Sequence, residues 1–308
     1  KELPELLSLL SEAPSLLFVD SYFVTEPYLQ AVSGICPVAY LDDLQLFDYP
    51  VDLVINYDII PEDMLPSYQA AYKRAGQTLL GASYTPLRSQ FQMEVPAVRP
   101  SVKDILITTG GSDPYHFCLK LLSCFQERLS ALIAEPDFHL HVLIGSLNED
   151  KRLLLELAEE LPFLKLHENV TDMAALMASC DLAISAAGTT LYELCAVGIP
   201  AVSYSFADNQ LPSSLAFANV GAVPYAGDLR MDTESCSIVP SPDSKGTGSA
   251  YGLPGVLSAV CHFVTDMSGN MAKRKSAQQS MRRLIDGKGS CRIARALEEC
   301  AFHNFRSP

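Results

Sequence analysis

Residues 180–210, CDLAISAAGTTLYELCAVGIPAVSYSFADNQ, constrain the fold more than any other part of this chain. Leu182, Ala183 and Ile184 form a short apolar run of the kind that fills a strand buried on both faces, and a second such run follows Gly198, Ile199 and Pro200. Between them lie a run of small residues, from Ser185 to Thr190, and a helix that begins near Thr189. Two buried strands around one helix make a parallel unit, so the chain is predicted to be α/β. The stretch carries only Asp181, Glu193 and Asp208 as charges, yet Gly188, Gly198 and Pro200 interrupt it at turn-like intervals, which argues against a membrane span.

The same stretch has a chemical meaning. A helix start offers unpaired N–H groups and the positive end of its dipole, and both favour an anion such as a diphosphate. Glu193, one turn in, can accept two hydrogen bonds from a ribose diol. Packing alone also accommodates these residues, since any α/β protein has strand–glycine–helix turns and an early Glu complements the dipole. A second turn of this type follows Ile105, Leu106 and Ile107, and reads TTGGSDP. Gly110 and Gly111 permit positive φ and close approach, Ser112 can donate to a phosphate, and Pro114 suits a first helical turn. Here the competing reading is a tight turn with Asp113 as the helix cap.

Elsewhere the strand and helix patterns alternate. Strands are predicted near 16–20, 37–41, 52–56 and 78–81, with helices near 3–10, 27–33 and 62–75, which is half of a doubly wound sheet. Residues 93–102, with Pro96 and Pro100, form a linker candidate. A second series follows, with strands near 104–108, 139–144, 164–166, 181–184, 201–204 and 222–225. Its helices are expected near 115–130, 149–160, 173–178, 190–197 and 212–218. Right-handed crossovers would build a parallel sheet with its ligand at the carboxyl ends of the strands. These patterns predict an N-terminal domain over 1–98, a second domain over 99–270, and C-terminal helices over 271–308 with a break near 286–290. Residues 230–255, rich in Ser, Pro, Gly and Asp, are predicted to be a mobile surface loop.

Composition narrows the partners. The formal charge of −14, from 22 basic and 36 acidic residues, argues against a nucleic-acid or anionic-membrane surface. The densest basic cluster, Lys273, Arg274 and Lys275 with Arg282 and Arg283, is expected to be a solvated helix face. Nine cysteines without a Cys-x-x-Cys pair fit a reducing compartment, the cytoplasm by default. His139 and His141 share one face of a predicted strand, but no third ligand stands at a motif spacing, so neither a metal site nor a cofactor is predicted. No signal-peptide pattern opens the sequence, which is expected to enter in the middle of an α/β alternation.

Taken together, Gly110-Gly111-Ser112, Asp172-Met173, Ala187-Gly188-Thr189-Thr190 with Glu193, and Gly198-Ile199-Pro200 resemble the C-terminal domain of GT-B glycosyltransferases. The lipid-intermediate N-acetylglucosaminyltransferase of peptidoglycan synthesis shows similar blocks. In the first hundred residues, Asp20-Ser21-Tyr22, Leu41-Asp42-Asp43-Leu44 and the run from Gly81 to Phe91 are similar to the pseudaminic-acid-pathway UDP-sugar hydrolase and its spore-coat-polysaccharide relatives, as is GGSDP.

The resemblance implies a GT-B-like pair of Rossmann-like doubly wound domains that binds a UDP-sugar. It implies hydrolysis that frees UDP from a diacetamido-trideoxy hexose by water attack at the anomeric carbon. Carried over by position, Glu193 accepts from the ribose, and backbone near Val170 meets the uracil. Ser185, Ala187, Gly188, Thr189 and Thr190 cradle the pyrophosphate together with Gly110, Gly111, Ser112 and Asp113, and Gln210 completes the UDP site. Tyr22 and Asn209 face the sugar as catalytic candidates, although Tyr22 also fits a core strand and Asn209 a loop turn. The family opens with a Gly-x-Gly-His-x-x-Arg-like loop bearing a catalytic His. Nothing here matches it, His116 lies in the wrong domain, and the first domain is expected to lack its N-terminal βαβα unit. A UDP-dependent glycosyltransferase and a non-catalytic UDP-sugar binder therefore stay open beside the hydrolase.

Overall fold

The computed structural model describes residues 2–11, 14–231 and 252–303. The chain divides into two compact units, Lys1–Ser89 with Gly287–Pro308, and Gln90–Asp286. The division falls at 89/90 and 286/287, where the sequence pointed to 98/99 and 270/271, because Gln90 is bonded to Thr171 and Ala174 and the helix Met271–Leu284 packs with the second unit. Residues 232–251 of the predicted mobile loop lie outside the described residues.

The first unit holds α1 (Leu3–Leu10), β1 (Leu17–Asp20), α2 (Glu26–Ser33), β2 (Val38–Leu41), β3 (Leu53–Asn56), α3 (Leu65–Ala71) and β4 (Gln77–Leu80). Its strands are parallel in the order β1-β2-β3-β4. Thr25 starts α2 by accepting the Tyr28 N–H, and Pro27 occupies the first turn, where its missing donor does no harm. The two-residue period of the strands divides the core. Val38, Tyr40 and Val54 pack with Leu29 and Val32 of α2 on one face. On the other face Ala39, Leu53, Ile55 and Leu79 pack against Ile293 and Ala296 of the C-terminal helix, Gly289–His303. That helix therefore belongs to the first unit, although some 200 residues separate it from the strands it covers.

The second unit continues with β5 (Asp104–Thr108), α4 (Phe117–Arg128), α5 (Ser130–Ile133), β6 (His139–Leu143), α6 (Lys151–Glu160), β7 (Leu164–His167) and α7 (Met173–Ala178). β8 (Leu182–Ala186), α8 (Thr190–Val197), β9 (Ala201–Ser205), α9 (Leu211–Asn219), β10 (Tyr225–Asp228), α10 (Leu253–Ser268) and α11 (Met271–Leu284) complete it. The six strands are parallel in the order β7-β6-β5-β8-β9-β10. Renumbered from β5, this is 3-2-1-4-5-6, the Rossmann arrangement, in which the direction of strand addition reverses between β5 and β8. Register pairs Ile105 with Leu182 and Thr108 with Ser185, so both strands end at one level. Ile105, Ile107, Leu182 and Ile184 pack with Phe117, Leu121 and Phe125 of α4 and with Val260 and Val264 of α10.

The basic cluster of α11 is only in part the solvated face that its composition predicts: Lys273, Lys275 and Arg283 are exposed, but Arg274 and Arg282 turn inward. Arg274 is 1% exposed and donates to the carbonyls of Met267, Arg99 and Pro100, and Arg282 donates to the carbonyl of Ala196. A guanidinium carries five N–H donors in a fixed fork, enough to satisfy several orphan carbonyls at once. Among the described residues no helix is long and apolar enough to cross a membrane.

Candidate functional site

Parallel α/β sheets take ligands at the carboxyl ends of their strands, at the point where strand order reverses. In the second unit that point is flanked by the turn after β5 and the turn after β8. After Thr108 and Thr109 the chain bends at Gly110, whose φ of +79° favours glycine. Gly145, just past β6, lies directly against this bend. A Cβ at Gly145 would lie 2.3 Å from the Gly110 carbonyl oxygen and 2.4 Å from that of Gly111, and the Leu147 N–H donates to Gly111 at 2.9 Å. Gly145 carries no motif that marks it as part of the site in the sequence. Its signal was a lone glycine at the end of a predicted strand, whose neighbour across the sheet was unknown.

Asp113 is buried, and its two carboxylate oxygens accept the N–H groups of Phe117 at 2.8 Å and Cys118 at 2.9 Å. Its side chain thus caps the first two N–H groups of α4 from three residues before His116, which occupies the N-cap position itself. Pro114 stands before this helix instead of in its first turn. Gly111 is exposed and Ser112 half-buried above it.

The turn after β8 is built differently. Ser185 is fully buried and its hydroxyl donates to the Ala186 carbonyl at 2.9 Å, while the buried Ala187 donates its N–H to Tyr204 at 2.8 Å. These two residues fix the strand end. Gly188 and Thr189 are exposed, Thr190 and Glu193 are half-buried, and α8 begins with no side-chain cap. Neither Gly111 nor Gly188 has a positive φ, and a Cβ at either would meet nothing within 4 Å. Chain packing therefore requires glycine at Gly145, the backbone favours it at Gly110, and neither asks for it at Gly111 or Gly188. What glycine secures at the last two is open space over the backbone.

The remaining predicted residues of this unit lie on neighbouring loops. Val170 is half-buried beyond β7, after Asn169 at φ +49°. Asp172 caps α7 by accepting the Ala175 N–H at 2.9 Å, and Gln90 holds the same loop through Ala174 and Thr171. Asn209 is exposed in the short turn Asp208–Gln210. The Gln210 side-chain oxygen accepts the Phe206 N–H at 2.9 Å, and Arg230 ties Asp208 to Asp228. Burial pushes the Asp228 carboxyl up, but the Arg230 hydrogen bonds outweigh it and hold Asp228 below the ordinary carboxylate range.

In the first unit Tyr22 lies past the end of β1 and is 63% exposed, so it is not a core-strand residue. Its hydroxyl donates to Asp43 at 2.9 Å, and that bond raises its pKa. Beneath it, buried Asp42 accepts the hydroxyls of Tyr49 at 2.9 Å and Tyr72 at 2.6 Å. Asp58 accepts from Tyr68 at 3.2 Å, and burial pushes its carboxyl up. Tyr22 and Asn209 thus belong to different units.

The fold and the paired turns define the class as GT-B-like, two units each built on a parallel sheet. The pneumococcal O-GlcNAc transferase GtfA, solved with UDP and GlcNAc, superposes with a TM-score of 0.54 at 11% identity, over 97% of this chain and 60% of its own. MurG of Acinetobacter baumannii superposes at 0.50 with 16% identity, over 89% of this chain and 76% of its own. In sequence, the chain is related to the spore coat polysaccharide biosynthesis protein SpsG of Bacillus subtilis, at 25% identity over 221 residues. A second relative is the pseudaminic acid cytidylyltransferase and UDP-2,4-diacetamido-2,4,6-trideoxy-beta-L-altropyranose hydrolase of Helicobacter pylori, at 28% over 145 residues. These matches take in 71% and 47% of this chain, and 57% and 25% of the relatives' own length. No family model matches the sequence. The relatives agree with the resemblance carried by the motifs and are proteins of sugar and polysaccharide biosynthesis.

Proposed function

We propose that the second unit binds the UDP moiety of a UDP-sugar at the β5–β8 switch point, and that the protein hydrolyses that sugar nucleotide. The observation that carries the proposal is the open space over Gly111 and Gly188, beside an α8 N-terminus that no side chain caps. A diphosphate there would be held by backbone donors and the helix dipole, without a bound cation. Gly110, Gly111, Ser112, Gly188, Thr189 and Thr190 would approach the phosphates, Glu193 the ribose and the Val170 backbone the uracil. Ser185, Ala187 and Asp113 support them from below, and Gln210 holds the loop that carries Asn209.

In the reaction, a water oxygen bonds to the anomeric carbon while the bond from that carbon to the diphosphate oxygen breaks. The electron pair leaves with UDP, and one water proton is released. The turn donors stabilise the charge on the departing diphosphate. Asn209, an exposed amide of this unit, is the candidate that acts on the sugar, and Tyr22, a hydroxyl held by Asp43, is the catalytic candidate of the first unit. The H. pylori relative, named for hydrolysis of a UDP-diacetamido-trideoxy sugar, supports that substrate class. The likeness to GtfA and MurG favours a second reading, transfer of the sugar to an acceptor.

Calorimetric titration of UDP, beside UMP and ADP, tests the site. Selective binding of UDP that weakens at least tenfold in Glu193→Ala is expected, and equal affinity for ADP would overturn the uridine assignment. Release of UDP from a diacetamido UDP-sugar in water alone selects hydrolysis, release only with an acceptor selects transfer, and binding without release leaves a non-catalytic binder. Tyr22→Phe and Asn209→Ala should lower turnover at nearly unchanged UDP affinity, and an equal loss of both would remove them from the sugar site.

A further inference from the structure

No third ligand stands at a motif spacing from His139 and His141 in the sequence, but the sheet supplies one. Asp104 opens β5, and the parallel register sets it directly opposite His139 on β6. Because paired residues in adjacent strands share a face, Asp104, His139 and His141 project from the same side of the sheet. Asp104 Oδ1 lies 2.9 Å from His141 Nε2 and 3.3 Å from His139 Nδ1, and one ligand atom from each of the three lies within 4.8 Å of the others. In a tetrahedral zinc site, with bonds of about 2.0–2.2 Å, adjacent ligand atoms stand about 3.3 Å apart, so the observed spacings need little adjustment.

The surroundings suit a cation. His141 Nε2 is hydrogen-bonded to Asp104 Oδ1, and its Nδ1 lies 2.9 Å from His167 Nε2, so the ring can donate Nδ1–H to His167, release the Nε2 proton and coordinate through Nε2. The second Asp104 oxygen is held by Arg99 at 2.8 Å, which orients the carboxylate and keeps Oδ1 toward the histidines. Arg99 is also paired with Asp181, so the two carboxylates and one guanidinium carry a net charge of −1. The His139 side chain is 35% exposed, which leaves room for water to complete the coordination.

We infer that Asp104, His139 and His141 form a binding site for a divalent transition-metal ion of the zinc class. Two imidazoles and one carboxylate select zinc, cobalt or nickel over magnesium or calcium. The site is separate from the nucleotide turns. Asp104 is the first residue of β5, and the glycine turn follows its last, roughly 13 Å further along at ~3.3 Å per residue. An ion here bridges two neighbouring strands and stabilises the folded unit without entering the sugar chemistry.

The test uses the full chain after treatment with a chelator. Titration with Zn²⁺ by calorimetry should give one site per chain, and Co²⁺ should give the visible absorption of a tetrahedral complex. His139→Gln and His141→Gln should each lower Zn²⁺ affinity at least 100-fold, and His167→Ala about tenfold through loss of the orienting bond. His262→Ala, an exposed histidine on α10, should change nothing. Zn²⁺ should also raise Tm in the unaltered protein and not in His139→Gln. Should a variant fail to fold, imidazole NMR signals of the unaltered protein serve instead, with those of His139 and His141 expected to move on Zn²⁺ addition. No binding, or binding equally strong in His139→Gln and His262→Ala, would overturn the site, as would histidine signals that do not move.

Discussion

The carboxyl ends of the two sheets use opposite means. In the second unit the turns after β5 and β8 expose glycines, a half-buried serine and an uncapped helix start, so what they offer a ligand is mainly backbone. In the first unit the corresponding end is crowded with side chains, where buried Asp42 holds Tyr49 and Tyr72 and exposed Tyr22 rests on Asp43. A backbone-lined turn suits an anion whose charge is spread over several oxygens, because many weak donors can point at it together. A carboxylate–tyrosine network suits proton exchange and hydrogen bonding to neutral hydroxyl or amide groups, and it repels a diphosphate.

The sharpest way to break this contrast is Gly145→Ala. The new methyl would press on the Gly110 and Gly111 carbonyls, which are backbone and cannot move aside cheaply, so a loss of about 2–3 kcal/mol in stability is expected together with loss of UDP binding. Urea unfolding and calorimetry would check both. Asp42→Ala should cost a similar amount, about 2–3 kcal/mol, because it leaves the O–H protons of buried Tyr49 and Tyr72 without their acceptor, but UDP affinity should survive, since the nucleotide turns belong to the other unit. Loss of UDP binding in that variant would erase the separation drawn between the two ends.

Gly188→Asp should leave Tm within a degree or two, because nothing crowds that position, while a carboxylate over the phosphate seat weakens UDP at least tenfold, or about 1.4 kcal/mol. The smallest effect concerns pH. Burial raises the Asp58 pKa in the folded state above its ordinary value, so the folded chain binds this proton more tightly than the unfolded chain does. Its contribution to stability is therefore fully present below the ordinary carboxylate range and is lost as pH rises through the raised value. Asp58→Asn, which keeps an acceptor for Tyr68, should flatten that part of the stability–pH curve. An unchanged curve would show that Asp58 titrates alike in both states.

Much of this was legible in the residues themselves. The strands near 104–108, 139–144 and 201–204 match β5, β6 and β9 to within a residue, because buried parallel strands are short apolar runs ended by small or turn-forming residues. The α8 start was legible from Gly188 and the two threonines. The last strand was placed near 222–225 and lies at Tyr225–Asp228, since Ala222 and Val223 are buried without belonging to the ladder. For Asp113 two sequence patterns overlap, phosphate contact and helix cap, and the structure adds the capping bonds to Phe117 and Cys118.

What the sequence determined by itself is local: the alternation of strand and helix and the glycine bend at Gly110. These depend on two-residue and 3.6-residue periods and on φ/ψ preferences, which act between near neighbours in the chain. Only the tertiary structure decided that Gly145 lies against Gly110, that Arg274 is buried among carbonyls, that the last helix covers the first sheet, and that Asp104 faces His139. Apart from the local bond of Arg274 to the Met267 carbonyl, each of these joins residues far apart in the chain, across crossovers whose strand order and register no local pattern encodes.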